Sequence, residues 1–445
     1  MKKILLLLAA LPPVFVAAQQ VTPAMKASFD HLIDSRYRAD APGGTVLIAQ
    51  KGKVLYERGL GIANLELNVK MQPDMLFEIG SQTKQFTAIC ILQLMEQGKL
   101  AVTDPISRYL QDAPASWQQV TIENLLTHSS GINEVPNGGN MPVAEKIKVS
   151  QNLPLAFVPG TKSSYVNFEY SLLGAIVEKV AGQPLGKYVK DHILDPIGMK
   201  HTYWNDYNGI IPNRTPAYLK RSAGFTNVTN IPPPDGAGGL ISNTYDMLTW
   251  YEALAAGKVV KKETLKQAWK PHILADGKAS TFGYGWMAGG AVQGSPISEH
   301  SGMMGGYCTE SLYMPEEQIF VAVFINQRGY PDPTAQELAA ILIGKPYLAD
   351  SIQMSADELK TYTGTYEVGE GDKRIMSFSN GKLYYEPNGR AGKIQMIPYE
   401  KDKFNADITM WSFIFHRDAT GNIISVTRFD KRYYNPSGQF WKKVQ

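Results

Sequence analysis

Two β-hairpin signals lie far apart in this chain, and neither is stable alone. The first is "GGTVLIAQKGKVLYERGLG", Gly43–Gly61, with apolar runs on either side of Lys51-Gly52-Lys53. The second is "GYCTESLYMPEEQIFVAVFIN", Gly306–Asn326. A lone two-stranded hairpin is marginal in water, so the economical fold pairs the two in one antiparallel sheet. Helical patterns flank them, "MKASFDHLIDSRY" before and "TAQELAAILIG" after. Between the hairpins lies a helical region from Ser81 to about residue 200, broken by loops such as "NEVPNGGNMP". A further helix, "YDMLTWYEALAAG", follows Ser242-Asn243 and stops at Gly257. The expectation is α+β: an antiparallel sheet flanked by the terminal helices, a second lobe of mid-chain helices, and a cleft between them.

A 44% hydrophobic, 19% charged chain can build a sizeable core. Its net charge of +3 does not call for nucleic acid. From about Ala349 the pattern changes to aromatic and β-branched residues alternating with polar ones, as in "RIMSFSNGKLYYEPNG" and "WSFIFHRDATGNIISVTRF". Turns are expected at Asn380-Gly381 and Asn388-Gly389. Residues 349–445 therefore read as a separate small β domain, a barrel or curled sheet.

At the other end, Lys2 and Lys3 precede "ILLLLAALPPVFVAA", which closes on Val16 and Ala18. That is the layout of a cleaved signal peptide over residues 1–18. It leaves a domain over 19–348 and a protein exported to the periplasm or secreted. No later segment has the length of a membrane span. The two cysteines, Cys90 and Cys308, sit in apolar patterns and read as buried free thiols. No Cys or His cluster has metal-ligand spacing, so no metal or cofactor is expected.

"EIGSQTKQFTA" carries Ser81 and Lys84 three positions apart. On a helix these share a face, and a helix start offers unpaired N–H groups to a developing negative oxygen. The plain alternative is a capped core helix with a solvated lysine. The spacing itself is unspecific, because Ser379-Asn380-Gly381-Lys382 repeats it across a hairpin turn. Two further stretches bear on the choice. "FVPGTKSSYVNFEYSLLG" places Tyr165-Val166-Asn167 between a Pro-Gly turn and a helix. "EHSGMMGGYCTE" places His300-Ser301-Gly302 at the entry to a strand. A loop aromatic and a solvated histidine are the plain alternatives there.

Taken in order, these stretches resemble the serine β-lactamase and penicillin-binding protein superfamily, most closely its class C-like branch. "VTIENLLTHSSGI" (Val120–Ile132) and "PDGAGGLISNTYDML" add to the likeness, which covers about residues 25–345. The resemblance implies roles. Ser81 would be the nucleophile, activated by Lys84 with Tyr165 relaying a proton to the leaving group. Asn167 would hold Lys84 or a substrate amide. The backbone N–H groups of Ser81 and Met303 would form the oxyanion hole, and His300, Ser301 and Gly302 would line the sheet side of the cleft. It further implies acyl transfer through a covalent acyl-enzyme on a small-molecule ester, peptide or β-lactam. One departure is informative. Class C β-lactamases have Lys-Thr-Gly where this chain has His300-Ser301-Gly302, which loses a permanent cation for a substrate carboxylate. That favours an esterase or D-amino-acid peptidase type over a β-lactamase or carboxypeptidase, with a peptidoglycan or β-lactam binding or sensing protein that does not turn over as the alternative of another class. The last segment, opening on "ELKTYTGTYE" (Glu358–Glu367), resembles small lipocalin-like β domains.

Overall fold

The computed structural model describes residues 21–205, 209–229, 231–347, 351–369, 371–387, 393–407, 411–430 and 438–444. The expected signal peptide, the expected domain junction at 348/349 and the Asn388-Gly389 turn lie outside the described residues.

Helix α1 (Pro23–Arg36) starts on Thr22, whose hydroxyl accepts from the Met25 amide. Strands β1 (Gly44–Gln50) and β2 (Lys53–Leu60) form the first hairpin. Its two-residue turn, Lys51 (φ 53°) and Gly52 (φ 74°), has the left-handed backbone that such tight hairpins require. Late in the domain come β3 (Ser298–Met304), β4 (Tyr307–Met314) and β5 (Ile319–Ile325). The sheet order is β3-β4-β5-β1-β2, antiparallel throughout, so the two distant hairpins pair through β1 and β5.

The central strands are apolar on both faces, and the period of two sorts them cleanly. Val46, Ile48, Val321 and Val323 pack with Phe29 and Ile33 of α1 and with Leu338 of the closing helix, Pro331–Leu342. Leu47, Ala49, Phe320 and Ala322 turn the other way, into the core of the helical lobe. That lobe is centred on α2 (Thr83–Glu96), which is buried on nearly every side. Its buried polar members have hydrogen-bond partners: Lys84 and Thr87 donate to the Ala237 and Gly236 carbonyls, and Gln85 accepts from the Trp250 indole. Phe86 stacks on Trp250 with ring centroids 4.1 Å apart. Phe86→Ala is expected to cost about 3–5 kcal/mol.

Around α2 stand α3 (Ile122–Leu126), capped by a Thr121–Asn124 box, and α4 (Asn167–Ala181). Next comes α5 (Thr244–Ala255), capped by Asn243. A short ribbon of Phe77–Glu78, Leu240–Ser242 and Tyr203–Trp204 joins the lobe to the sheet.

The C-terminal part is a closed barrel of eight antiparallel strands. Each strand pairs with its successor, and the last, Gln439–Lys443, returns to the first, Gly364–Glu367. Tyr366, Tyr385, Phe404, Phe413 and Trp441 fill its interior. Ahead of the first barrel strand, residues Ala356–Thr361 form a helix. Ser355 and Glu358 make a reciprocal capping box, a Ser-x-x-Glu pattern that was legible in "SADE". The barrel meets the larger domain through Arg36, which donates to the Asp407 carbonyl (3.0 Å), and Asn405, which donates to that of Tyr347 (3.0 Å). Among the described residues no helix is long and apolar enough to cross a membrane.

Candidate active site

The cleft is assembled at the start of α2. Gly80 takes a left-handed backbone (φ 53°), and Gly80–Gln82 form a single 3₁₀ turn before the α-helix proper begins at Thr83. Ser81 thus sits one turn earlier than a simple helix start, and Lys84 occupies the first turn of α2. The Thr83 hydroxyl accepts from the amides of Gly239 (3.1 Å) and Leu240 (3.2 Å), pinning this turn to the glycine-rich segment.

Ser81 Oγ lies 3.1 Å from Lys84 Nζ and 2.8 Å from Tyr165 Oη. Lys84 is fully buried. Its Nζ meets three oxygens: Ser81 Oγ, Asn167 Oδ1 (2.8 Å) and the Ala237 carbonyl (2.9 Å). It also lies 4.9 Å from the centroid of the Tyr165 ring. The alternative of a solvated lysine is therefore excluded by its burial. The Ala237 carbonyl had no sequence signal. It is presented by a tight turn in which the Asp235 carboxylate accepts from the Ala237 amide (2.9 Å).

The third stretch lies within β3 rather than ahead of a strand, at the sheet's edge. Its residues alternate. Ser301 and Met303 face solvent, while His300 and Gly302 turn inward. A Cβ built on Gly302 would fall 1.8 Å from the Ile79 carbonyl oxygen, so only glycine lets β3 approach the serine turn this closely. A Cβ built on Gly80 would lie 2.7 Å from the Met303 nitrogen, which brings the Met303 amide beside the serine turn. The Ser301 hydroxyl bonds to none of Ser81, Lys84 and Tyr165.

His300 is buried, not solvated, and its Nδ1–H donates to the Ser301 carbonyl (2.6 Å). Burial, then the nearby Lys84 charge, pushes its pKa down to about 4. The sheet side of the cleft therefore carries a neutral imidazole at neutral pH. On the α4 side, the exposed Glu134 carboxylate accepts from the Asn167 amide (2.8 Å). Glu134 and the buried Glu169 were not singled out from the sequence. The one available signal was Glu169 itself, a carboxylate inside the apolar run "NFEYSLLGAIV". Cys90 and Cys308 are buried free thiols.

Comparison with known proteins fits this geometry. A family model described as Beta-lactamase matches residues 20–345. A Bacillus subtilis (strain 168) protein named putative penicillin-binding protein PbpX is 32% identical over 288 residues, 64% of this chain and 70% of the relative. A D-aminopeptidase of Gluconobacter oxydans (strain 621H) is 25% identical over 341 residues, 74% of this chain and 63% of that enzyme. The solved structure of an octameric penicillin-binding protein homologue from Pyrococcus abyssi aligns with a TM-score of 0.67 at 25% identity. It covers 94% of this chain and 99% of its own.

Proposed function

This chain belongs to the β-lactamase family and is a serine hydrolase, and on that premise we propose that it is exported and cleaves small esters or aminoacyl amides through a covalent acyl-Ser81. The single observation that carries this is the Ser81 oxygen held between Lys84 Nζ and Tyr165 Oη.

In the proposed reaction Lys84 acts as a neutral amine, donating its two hydrogens to Asn167 and Ala237, and its lone pair takes the Ser81 proton as the serine oxygen attacks the substrate carbonyl carbon. The amides of Ser81 and Met303 receive the oxyanion. When the tetrahedral centre collapses, the C–O or C–N bond breaks and the leaving group takes the Tyr165 phenol proton. Water then attacks the acyl-Ser81 ester and gives a proton to the Tyr165 phenolate, and Lys84 returns its proton to the Ser81 oxygen as the acid departs.

Charge at the cleft guides the substrate class. His300 brings no cation for a substrate carboxylate. Glu134 brings an exposed anion to the Asn167 side. Together these suit a neutral ester, or a residue with a free ammonium as in a D-aminopeptidase, over a carboxylate-bearing β-lactam or D-Ala-D-Ala end. The penicillin-binding name of the Bacillus relative favours a second reading, a penicillin-binding carboxypeptidase.

The test is a panel: p-nitrophenyl esters, D-aminoacyl p-nitroanilides, a chromogenic cephalosporin and D-Ala-D-Ala peptides, each with wild type and Ser81→Ala. Ester and aminoacyl turnover that vanishes in Ser81→Ala is expected. Glu134→Gln should weaken aminoacyl substrates selectively. Preferred turnover of the cephalosporin or the D-Ala-D-Ala peptides would select the second reading. Export is tested by N-terminal sequencing of protein recovered from the periplasm or medium, with cleavage after Ala18 expected.

A further inference from the structure

Tyr165 sits on an irregular stretch just before α4, so no helix or sheet ladder holds its ring over Ser81. The backbone amides on either side of it, those of Ser164 and Val166, both donate to His128. Ser164 N–H reaches the His128 carbonyl (2.8 Å), and Val166 N–H makes a longer bond to its Nδ1 (3.4 Å). The His128 ring lies 4.5 Å from the Tyr165 ring between centroids, with Phe282 4.8 Å from His128 and 5.8 Å from Tyr165. His128 itself is buried and held in a left-handed backbone (φ 55°). Such a conformation is uncommon outside glycine and persists where the surroundings enforce it.

Behind His128 stands a chain of buried polar groups. Its Nδ1 is 2.5 Å from Glu169 Oε2. Ser130 Oγ donates to Glu169 Oε1 (2.5 Å) and accepts from the Ile132 amide (2.9 Å). Glu169 lies in the first turn of α4, the helix that opens with Asn167. The His128–Glu169 contact therefore ties the loop after α3 to the helix that holds Lys84.

From this geometry we infer that His128, fixed from behind by Glu169 and Ser130, is the positioning residue that keeps Tyr165 Oη within reach of Ser81. Glu169 acts in it as a neutral acid that donates its proton to His128 Nδ1. The inference rests on the reading of Ser81 and Tyr165 given above.

The position of the proton follows from donors and acceptors. The Val166 N–H points at Nδ1 and needs a lone pair there. Glu169, 2.5 Å from the same nitrogen, must then supply the hydrogen. Ser130 donates to the remaining carboxyl oxygen, which suits the carbonyl of an acid. The electrostatics agree. Burial pushes the Glu169 carboxyl well up and the His128 imidazole well down. The ionisable groups facing the pair are Lys84 on α2, Glu134 before α4, His300 on β3, and Tyr165 and Tyr170 beside it. Lys84 and His300 disfavour an imidazolium at His128. At Glu169, Glu134 disfavours a carboxylate while Lys84 favours one.

The test uses the full chain and six forms of it: wild type, Ser81→Ala, Tyr165→Phe, His128→Ala, Glu169→Ala and Glu169→Gln. Each is assayed on a p-nitrophenyl ester, labelled with a fluorophosphonate and melted. His128→Ala and Glu169→Ala are expected to lower kcat about 100-fold with KM within about threefold, the signature of a displaced reacting group. Glu169→Gln, whose amide can donate to the same nitrogen, is expected to regain about tenfold of that loss and to keep the wild-type pH profile of kcat/KM. Infrared spectra at neutral pH should show a protonated-carboxyl stretch in wild type that is missing in Glu169→Gln. Unchanged kcat in His128→Ala would overturn the positioning role. Glu169→Gln as slow as Glu169→Ala, or with a displaced acid limb, would overturn the neutral acid. Should His128→Ala not fold, the two Glu169 variants still decide. Turnover and labelling that persist in Ser81→Ala would instead break the underlying assignment, a result distinct from an active His128→Ala beside a dead Ser81→Ala.

Discussion

The chain carries Ser-x-x-Lys twice, and the two sites show what the spacing alone is worth. In the barrel, Ser379 and Lys382 face each other as a cross-strand pair closing a tight turn of Asn380 (φ 49°) and Gly381 (φ 74°). Lys382 is exposed and donates to Gln395 Oε1 at 3.0 Å. At the start of α2, the same four-residue spacing puts a fully buried lysine nitrogen 3.1 Å from a serine oxygen. The difference lies in what converges from elsewhere. Tyr165 with Asn167, Ala237, and β3 arrive from three distant segments at Ser81, whereas Ser379 is half-buried and pairs with Lys382 across its turn. A motif acquires chemistry from the groups that desolvate and orient it.

The contrast can be broken most directly at the serines. Ser81→Ala is expected to reduce ester hydrolysis by roughly five to six orders of magnitude, while Ser379→Ala should remain within about twofold of wild type, as surface changes do. Comparable losses in both would erase the distinction. The lysines sharpen it next. Lys84→Met removes a proton carrier worth about 10²–10⁴-fold in rate, and it leaves Asn167 Oδ1 and the Ala237 carbonyl buried without a donor, at roughly 1–3 kcal/mol each. Lys382→Met should shift stability by no more than about 0.5 kcal/mol in thermal or urea unfolding.

Glycines come third. Gly302→Ala pushes β3 off the Ile79 carbonyl and is expected to cost about 100-fold in kcat. Gly381→Ala meets nothing within 4 Å and should cost only the left-handed backbone strain, about 1–2 kcal/mol with unchanged kcat.

The last contrast is in pH. His300 falls from the ordinary histidine range to about 4 when folded, so the unfolded chain binds its proton first as pH drops. Stability is therefore lost between about pH 6.5 and 4, by roughly 3 kcal/mol at most. Glu78, pushed up to about 7 by burial, acts in the opposite sense, its contribution fading as pH rises from about 4.5 to 7. Subtracting the His300→Asn stability profile from the wild-type one isolates the histidine. A difference that does not grow on acidification would show His300 to be solvated after all.

Local patterns explain which parts could be read in advance. The hairpins, the sheet they share, the caps of α5 and the barrel's alternation are short-range signals, and they appear in the structure. The helix at Ala356–Thr361 was equally local, but its capping box was overshadowed by the aromatic residues that follow. The burial of His300 had no local signal, because the Tyr165 ring, 6.4 Å away between centroids, meets it only in three dimensions. The Ala237 carbonyl was beyond reach for a plainer reason. Every residue has a carbonyl, and nothing in "PDGAGG" says which one will point at Lys84.

Of the three partners of Lys84, a side-chain amide oxygen and a peptide carbonyl can only receive hydrogen. The Ser81 hydroxyl can both give and receive. The lysine is thus a room with one door. A proton that enters from the serine has to leave by the serine, so Lys84 can store charge during attack but cannot pass it on through the protein. Onward delivery to a departing group falls to Tyr165, the other group in contact with the serine oxygen and one that reaches the open cleft. Variants at Lys84 and Tyr165 should therefore differ in kind: the first slows every acyl donor alike, and the second slows most those whose leaving group is a poor one.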